Sequence, residues 1–171
     1  MRVFDTGDIR SHNTSMVLKL IWSELAMSRA EVARRLGMSR STVSNIVSSL
    51  QAMGIVHEVG EGLSKGGRRP ILVGIAQESH FLLGVELGAR HLSVVACTLR
   101  GQIVSSAVEE YSVQTDPQGT LTRVEALLDE LAQSLPGAWS GVLGIGLGVP
   151  SPVHDENPGR LSPQILPAWA G

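Results

Sequence analysis

Residues 28–50, SRAEVARRLGMSRSTVSNIVSSL, restrict the fold of this chain more than any other stretch. Ser28-Arg29-Ala30-Glu31 has the form of a capping box. The Ser28 hydroxyl can accept from the Glu31 amide, and the Glu31 carboxylate can reach back to the Ser28 amide. Val32, Ala33 and Leu36 then line one face of a helix of about eight residues. Gly37 ends it, because glycine takes the left-handed conformation without strain. Ser39 caps the next helix, in which Val43, Ile46, Val47 and Leu50 share a face before Gly54 closes it. Two short helices joined by a glycine-containing turn make a helix-turn-helix. Upstream, Asn13 or Thr14 is a good N-cap for a first helix. Its apolar face is Met16, Val17, Leu20, Ile21 and Leu25, with Lys19 and Glu24 left for solvent.

The outer face of the third helix carries Ser39, Ser41, Ser44, Ser48 and Ser49 with Thr42 and Asn45. Serine is a mediocre helix former, so packing of the apolar stripe must hold this helix. A solvated helix more often carries Glu and Lys. A short, uncharged, hydrogen-bonding face can approach base edges and phosphates closely. Ser39 and Arg40 are the candidate phosphate anchors at the helix N-terminus. Ser41, Thr42, Ser44 and Asn45 are the candidate base readers, with Ser48 beside them. Ser28 and Arg29, opening the second helix, join the DNA-contacting set.

Ile55–Val59 and Ile71–Ile75 are strand-like, and the glycine-rich segment 60–70 joins them as a hairpin tip. Lys65, Gly66, Gly67, Arg68 and Arg69 put positive charge and close backbone approach on that tip, as a DNA-contacting wing requires. Charge follows the same division: residues 1–80 hold ten Lys and Arg against seven Asp and Glu, and residues 81–171 four against nine. The net charge of −2 therefore joins a basic module to an acidic one.

Aromatic residues are 4% of the chain, so the core must come from Leu, Val, Ile and Ala. The single cysteine, Cys97, excludes an internal disulfide and a multi-cysteine metal site in this sequence. The histidines show no metal-ligand spacing, and no metal or cofactor is expected. The near-apolar stretch 138–150 is too short and too rich in glycine for a membrane span. MRVFDTGDIR is not a signal sequence, so the expected location is the cytoplasm.

In the second half, Phe81–Leu87, Leu92–Leu99 and Gln102–Val113 read as three strands. Thr115-Asp116-Pro117 starts a helix with Leu121, Val124, Leu127, Leu128 and Leu131 on its apolar face, ending near Pro136-Gly137. Val142–Val149 is a fourth strand. The order β-β-β-α-β points to α/β architecture: a meander, then a crossover. Gly144-x-Gly146-x-Gly148 is followed by Pro150 and Pro152, which forbid the immediate helix of a dinucleotide site. Asp155 and Glu156 read as a solvated loop. The last strand has no following helix and the sequence stops at PAWAG. An unfinished domain with an exposed apolar sheet is the expectation.

The run SRAEVARRLGMSRSTVSNIVSSLQAMGIVHEVGEGLSKGGRRPILVGI resembles the DNA-binding domain of the ROK family, which contains sugar-responsive repressors and sugar kinases. The ordered set of Ser28–Glu31, Gly37–Ser44 and the Gly66-Gly67-Arg68-Arg69-Pro70 wing carries the resemblance, over residues 12–76. It implies a winged helix-turn-helix (α+β) followed, over residues 80–171, by the first part of an actin-like, ribonuclease-H-like ATPase domain (α/β). Gly84–Ala89 lies where ROK kinases carry a phosphate loop, but Glu86 stands for the aspartate and Ala89-Arg90 for Gly-Thr. Gly144–Val153 is similar to the family's segment near the sugar pocket, with Ser151 in place of a glycine. Gly148, Pro150 and Ser151 are the ligand-loop residues it implies, and Leu166–Trp169 fits its continuation. The implied function is a DNA-binding regulator of carbohydrate genes, a repressor and not an enzyme. Its implied partners are a double-stranded operator, a sugar or sugar-phosphate effector, and a second copy in a homodimer or higher oligomer. A ROK-type sugar kinase with a DNA-binding extension is the alternative.

Overall fold

The computed structural model describes residues 6–63, 69–151 and 166–169, in two compact units, Met1–Ser79 and His80–Gly171. Unit one runs α1 (Thr6–Ser23), β1 (Met27–Ser28), α2 (Arg29–Leu36), α3 (Arg40–Ala52), β2 (Val56–Glu61) and β3 (Ile71–Ile75). The three strands form an antiparallel sheet in the order β1-β3-β2. Val17, Ile21, Val32, Val43, Val47, Leu50, Val56 and Val73 are almost fully buried, so each helix contributes a side to one small core. This is a winged helix-turn-helix, with β2 and β3 as the wing's arms.

The local chemistry of α2 and α3 follows the sequence closely. Ser28 Oγ accepts from the Glu31 amide at 3.2 Å, and Ser39 Oγ from the Thr42 amide at 3.0 Å. Gly37 has φ 63°, and the Met38 amide returns to the Ala33 carbonyl at 3.0 Å. The second half of the expected capping box is not made. The Glu31 carboxylate turns instead to Arg34 and Arg35, one turn along its own helix, while Ser28 itself lies in β1, paired with Leu72 of β3. The Arg34 hydrogen bond, helped by Arg35 and opposed by desolvation, holds the Glu31 carboxyl below its usual range.

Two more expectations for unit one are corrected, and one element is added. The first helix begins at Thr6, not near Asn13, because residues 6–12 hold no proline and extending a helix already nucleated on a core is easy. Leu25 lies beyond the helix end and is 85% exposed, so it leaves the apolar stripe. The two-residue strand β1 was not expected at all; its partner lies more than forty residues away, Met27 opposite Val73.

Unit two runs β4 (Phe81–Leu87), β5 (His91–Thr98), β6 (Ile103–Glu110), α4 (Pro117–Gln133), a 3-10 turn at Ala138–Gly141, β7 (Val142–Gly148) and a second 3-10 turn at Pro167–Trp169. The sheet order is β6-β5-β4-β7, antiparallel except for β4 with β7. α4 is the crossover that a parallel pair demands. Asp116 caps it, accepting from the Gly119 amide at 2.9 Å. Its buried stripe is Thr120, Val124, Leu127, Leu128 and Leu131, against Phe81, Leu83, Val85, Leu92 and Val94 of the sheet. Thr120 thus replaces the expected Leu121, which is 42% exposed; its hydroxyl donates to the Asp116 carbonyl at 2.7 Å, so it can be buried without loss. The helix ends at Gln133, earlier than expected, and 3-10 geometry carries the chain to Gly141.

Ile145 and Leu147 are in register with the buried Leu83 and Val85, yet are 50% and 59% exposed. Among the described residues, β7 has no strand on its outer side. No helix of the described residues is long and apolar enough to cross a membrane.

Candidate nucleic-acid interface

Burial of Val43, Ile46, Val47 and Leu50 leaves α3 one orientation, and the opposite face is the polar one. Ser41, Asn45, Ser48 and Ser49 are exposed there, with Thr42 and Ser44 half-buried at its margins. The hydroxyls of Ser41 and Thr42 gather on Ser39 Oγ, at 2.9 and 2.8 Å. That cluster keeps the N-terminal turn ordered while each hydroxyl retains unused hydrogen-bonding capacity. Asn45 is the one amide side chain on this surface. It carries the donor and acceptor pair that an adenine edge complements. Arg40 is exposed at the same helix end, with no carboxylate in ion-pair range among the described residues.

The other expected contacts sit differently. Arg29 is committed within the unit: it donates to Gln51 Oε1 at 2.7 Å and lies 3.8 Å from Glu58 Oε1. It ties α2 to the end of α3 and to β2, and Ser28 is occupied as the cap. At the wing, the Gly62 amide donates to the Pro70 carbonyl at 2.8 Å and closes the base of the tip. Arg69 faces Glu61 there at 3.8 Å, both well exposed. Lys65, Gly66, Gly67 and Arg68 lie outside the described residues.

A groove that the sequence did not disclose runs beside the polar face of α3. Arg10, Asn13 and Thr14 of α1 form one wall, and Thr42, Asn45, Ser48 and Ser49 of α3 the other. The signal was available in retrospect. Residues 10, 13, 14, 17 and 21 have the spacing of a single helix face, so the buried stripe of Val17 and Ile21 continues upward as polar side chains.

In unit two, the segments that resemble the ROK phosphate and sugar loops meet at one end of the sheet, because β4 and β7 are parallel neighbours and Glu86 is in register with Gly148. Pro150 and Ser151 follow directly, both half-buried. The turn after β4 is filled by a side chain: the His91 imidazole lies where a Cβ on Gly88 would project. Glu86 receives a hydrogen bond from Ser93 Oγ at 3.4 Å, with His91 Nε2 3.9 Å away. Among the described residues, no group of three or more His, Cys, Asp or Glu is placed to hold a metal ion.

Comparison with known proteins agrees with this architecture. Residues 14–60 match the IclR helix-turn-helix domain. The chain is 31% identical over 153 residues to a putative xylose repressor of Caldicellulosiruptor sp. strain Rt8B.4, covering 90% of this chain and 38% of that protein. It is 27% identical to the xylose repressor of Bacillus subtilis strain 168, covering 91% and 40%. It is 28% identical to the transcriptional dual regulator NagC of Escherichia coli K12, covering 73% and 30%. The chain spans about two fifths of the length of the xylose repressors it matches. A crystal structure of a ROK family transcriptional regulator, a homolog of the E. coli MLC protein, shares the fold with TM-score 0.68 at 21% identity, over 86% of this chain and 37% of that one.

Proposed function

We propose that this chain is a ROK family transcriptional regulator, as its likeness to xylose repressors and the fold it shares with a ROK regulator support, and that it binds operator DNA through α3 as a repressor of carbohydrate genes. The observation that carries this reading is the outer face of α3: uncharged, short-chained, capped by Ser39 and backed by four buried aliphatic residues. Ser39 and Arg40 anchor phosphates, and Ser41, Thr42, Ser44, Asn45 and Ser48 face the bases. The wing, with Lys65, Gly66, Gly67, Arg68 and Arg69, follows the adjacent minor groove or backbone. Residues 12–76 are the DNA-binding domain, and the protein acts as a homodimer on paired half-sites in the cytoplasm.

The effector is a sugar or sugar phosphate. Ligands of parallel sheets bind beyond the carboxyl ends of the strands. The register of Glu86 with Gly148 supports a site there, taking in Gly148, Pro150 and Ser151 of residues 80–171. Such an effector changes operator affinity only by binding two conformations unequally.

Selection of bound duplexes from a randomised pool tests the DNA reading. The wild-type chain should recover a common sequence. Asn45→Ala should flatten the preference at one position, by about 1–3 kcal/mol, with little change on random DNA. A pool without a consensus refutes the reading, and an unchanged Asn45→Ala profile refutes the role of that side chain. Binding of xylose, N-acetylglucosamine and their phosphates is read from the Gly88 and Gly148 amide resonances; shifts confined to residues 6–63 would refute the ligand site.

A further inference from the structure

Unit one holds seven described cationic residues, and most are neutralised within the fold. Arg34 and Arg35 pair with Glu31 and Glu24, Arg29 approaches Glu58, and Arg69 approaches Glu61. Arg10, Lys19 and Arg40 have no carboxylate in ion-pair range among the described residues. Two of these three bear on α3. Arg40 stands at its N-terminus, and Arg10 lines the groove along its flank together with Asn13 and Thr14. Lys19 is exposed elsewhere on α1 and does not line that groove.

We propose that Arg10, supported by Asn13 and Thr14, is a second phosphate clamp, which holds the DNA backbone in the groove between α1 and α3. This rests on α3 being the reading helix. From Arg40 to Ser49, α3 rises about 14 Å, comparable to the roughly 12 Å width of the major groove. A duplex seated with bases against Asn45 therefore brings phosphates to either side of the reading face. Arg40 meets them on one side and the groove on the other. Its walls suit a phosphate: a guanidinium for charge, with an amide and hydroxyls as neutral donors. Ile9 and Met53, each about half-exposed, form the apolar part of the lining, against which sugar rings can pack.

The test uses the 171-residue chain and a duplex of mixed sequence, with affinity measured across a salt series. Arg10→Ala should reduce the slope of log K against log salt by about 0.9, the release of one phosphate contact, and weaken binding about eightfold at 0.1 M salt. Arg10→Lys should restore the slope. Lys19→Ala should leave it unchanged. The sequence preference of Arg10→Ala should match wild type, since phosphate contacts carry no base information. An unchanged slope in Arg10→Ala overturns the proposal, as does an equal loss in Lys19→Ala, which would mean a diffuse field. A changed sedimentation mass of DNA-free Arg10→Ala with an unaltered salt slope assigns the groove to a second copy and also overturns it. If the wild-type chain binds no duplex, the reading of α3 itself falls, an outcome distinct from wild-type binding that Arg10→Ala leaves intact.

Discussion

The turn between α2 and α3 sets the angle of α3, and Gly37 offers a clean way to perturb it. Gly37 sits at φ 63° and ψ 25°, and a Cβ placed there would meet nothing within 4 Å. Gly37→Ala therefore costs backbone energy only. A left-handed alanine costs roughly 1–2 kcal/mol. The lower entropy of the unfolded alanine chain returns about 0.4–1 kcal/mol of that. The net loss is about 0.8 kcal/mol at the middle of these ranges (about 0–1.6), or about fourfold in the opening equilibrium. Gly37→Asn should recover most of it, because asparagine tolerates this conformation. Amide hydrogen exchange of Val43, Ile46 and Val47 reads unit one alone in the intact chain. Faster exchange in the alanine variant and near-native exchange in the asparagine variant are expected. Equal exchange in all three proteins, or equal acceleration in both variants, would refute a cost set by φ.

Two further outcomes follow from unit two. The Arg123 hydrogen bond, opposed by desolvation, holds the Glu109 carboxyl below its ordinary range, through contacts of 2.8 and 3.1 Å from Nε. Its folded pKa being depressed, this stabilisation is present above the ordinary carboxylate range and is lost as pH falls through the folded value. Arg123→Met should thus lower the melting temperature at neutral pH and converge with wild type in acid; a gap independent of pH would show that packing, not charge, is at stake. Ile145 and Leu147 expose apolar surface beside a strand edge that is unpaired among the described residues, so the chain should self-associate with rising concentration. Ile145→Lys with Leu147→Lys should reduce that mass in sedimentation, and a wild-type monomer at every concentration would refute it.

Ser28, Gly37, Ser39 and Asp116 were legible in the sequence because a cap or a stop acts within about three residues of itself. Ile71–Ile75 and Phe81–Leu87 were legible to the residue because short apolar and β-branched runs ended at turn signals. α3 was legible despite its serines, since its buried stripe outweighs their propensity. Glu31, Thr120 and Leu25 departed from expectation. Each had more than one role open to it locally: Glu31 takes Arg34 and Arg35 along its own helix over the Ser28 amide, Thr120 is buried because its hydroxyl reaches the Asp116 carbonyl, and Leu25 falls beyond the end of α1.

Local chemistry along the chain thus determined where the helices of the turn begin and end, which face of α3 is buried, and that a hairpin follows it. Tertiary structure decided the rest: the strand β1, the neighbourhood of Glu86 and Gly148, and the wall of α1 beside α3. Those features join residues some thirty to sixty positions apart. No rule of spacing reaches that far, because such contacts are selected by what the assembled core leaves room for and what its sheet can pair.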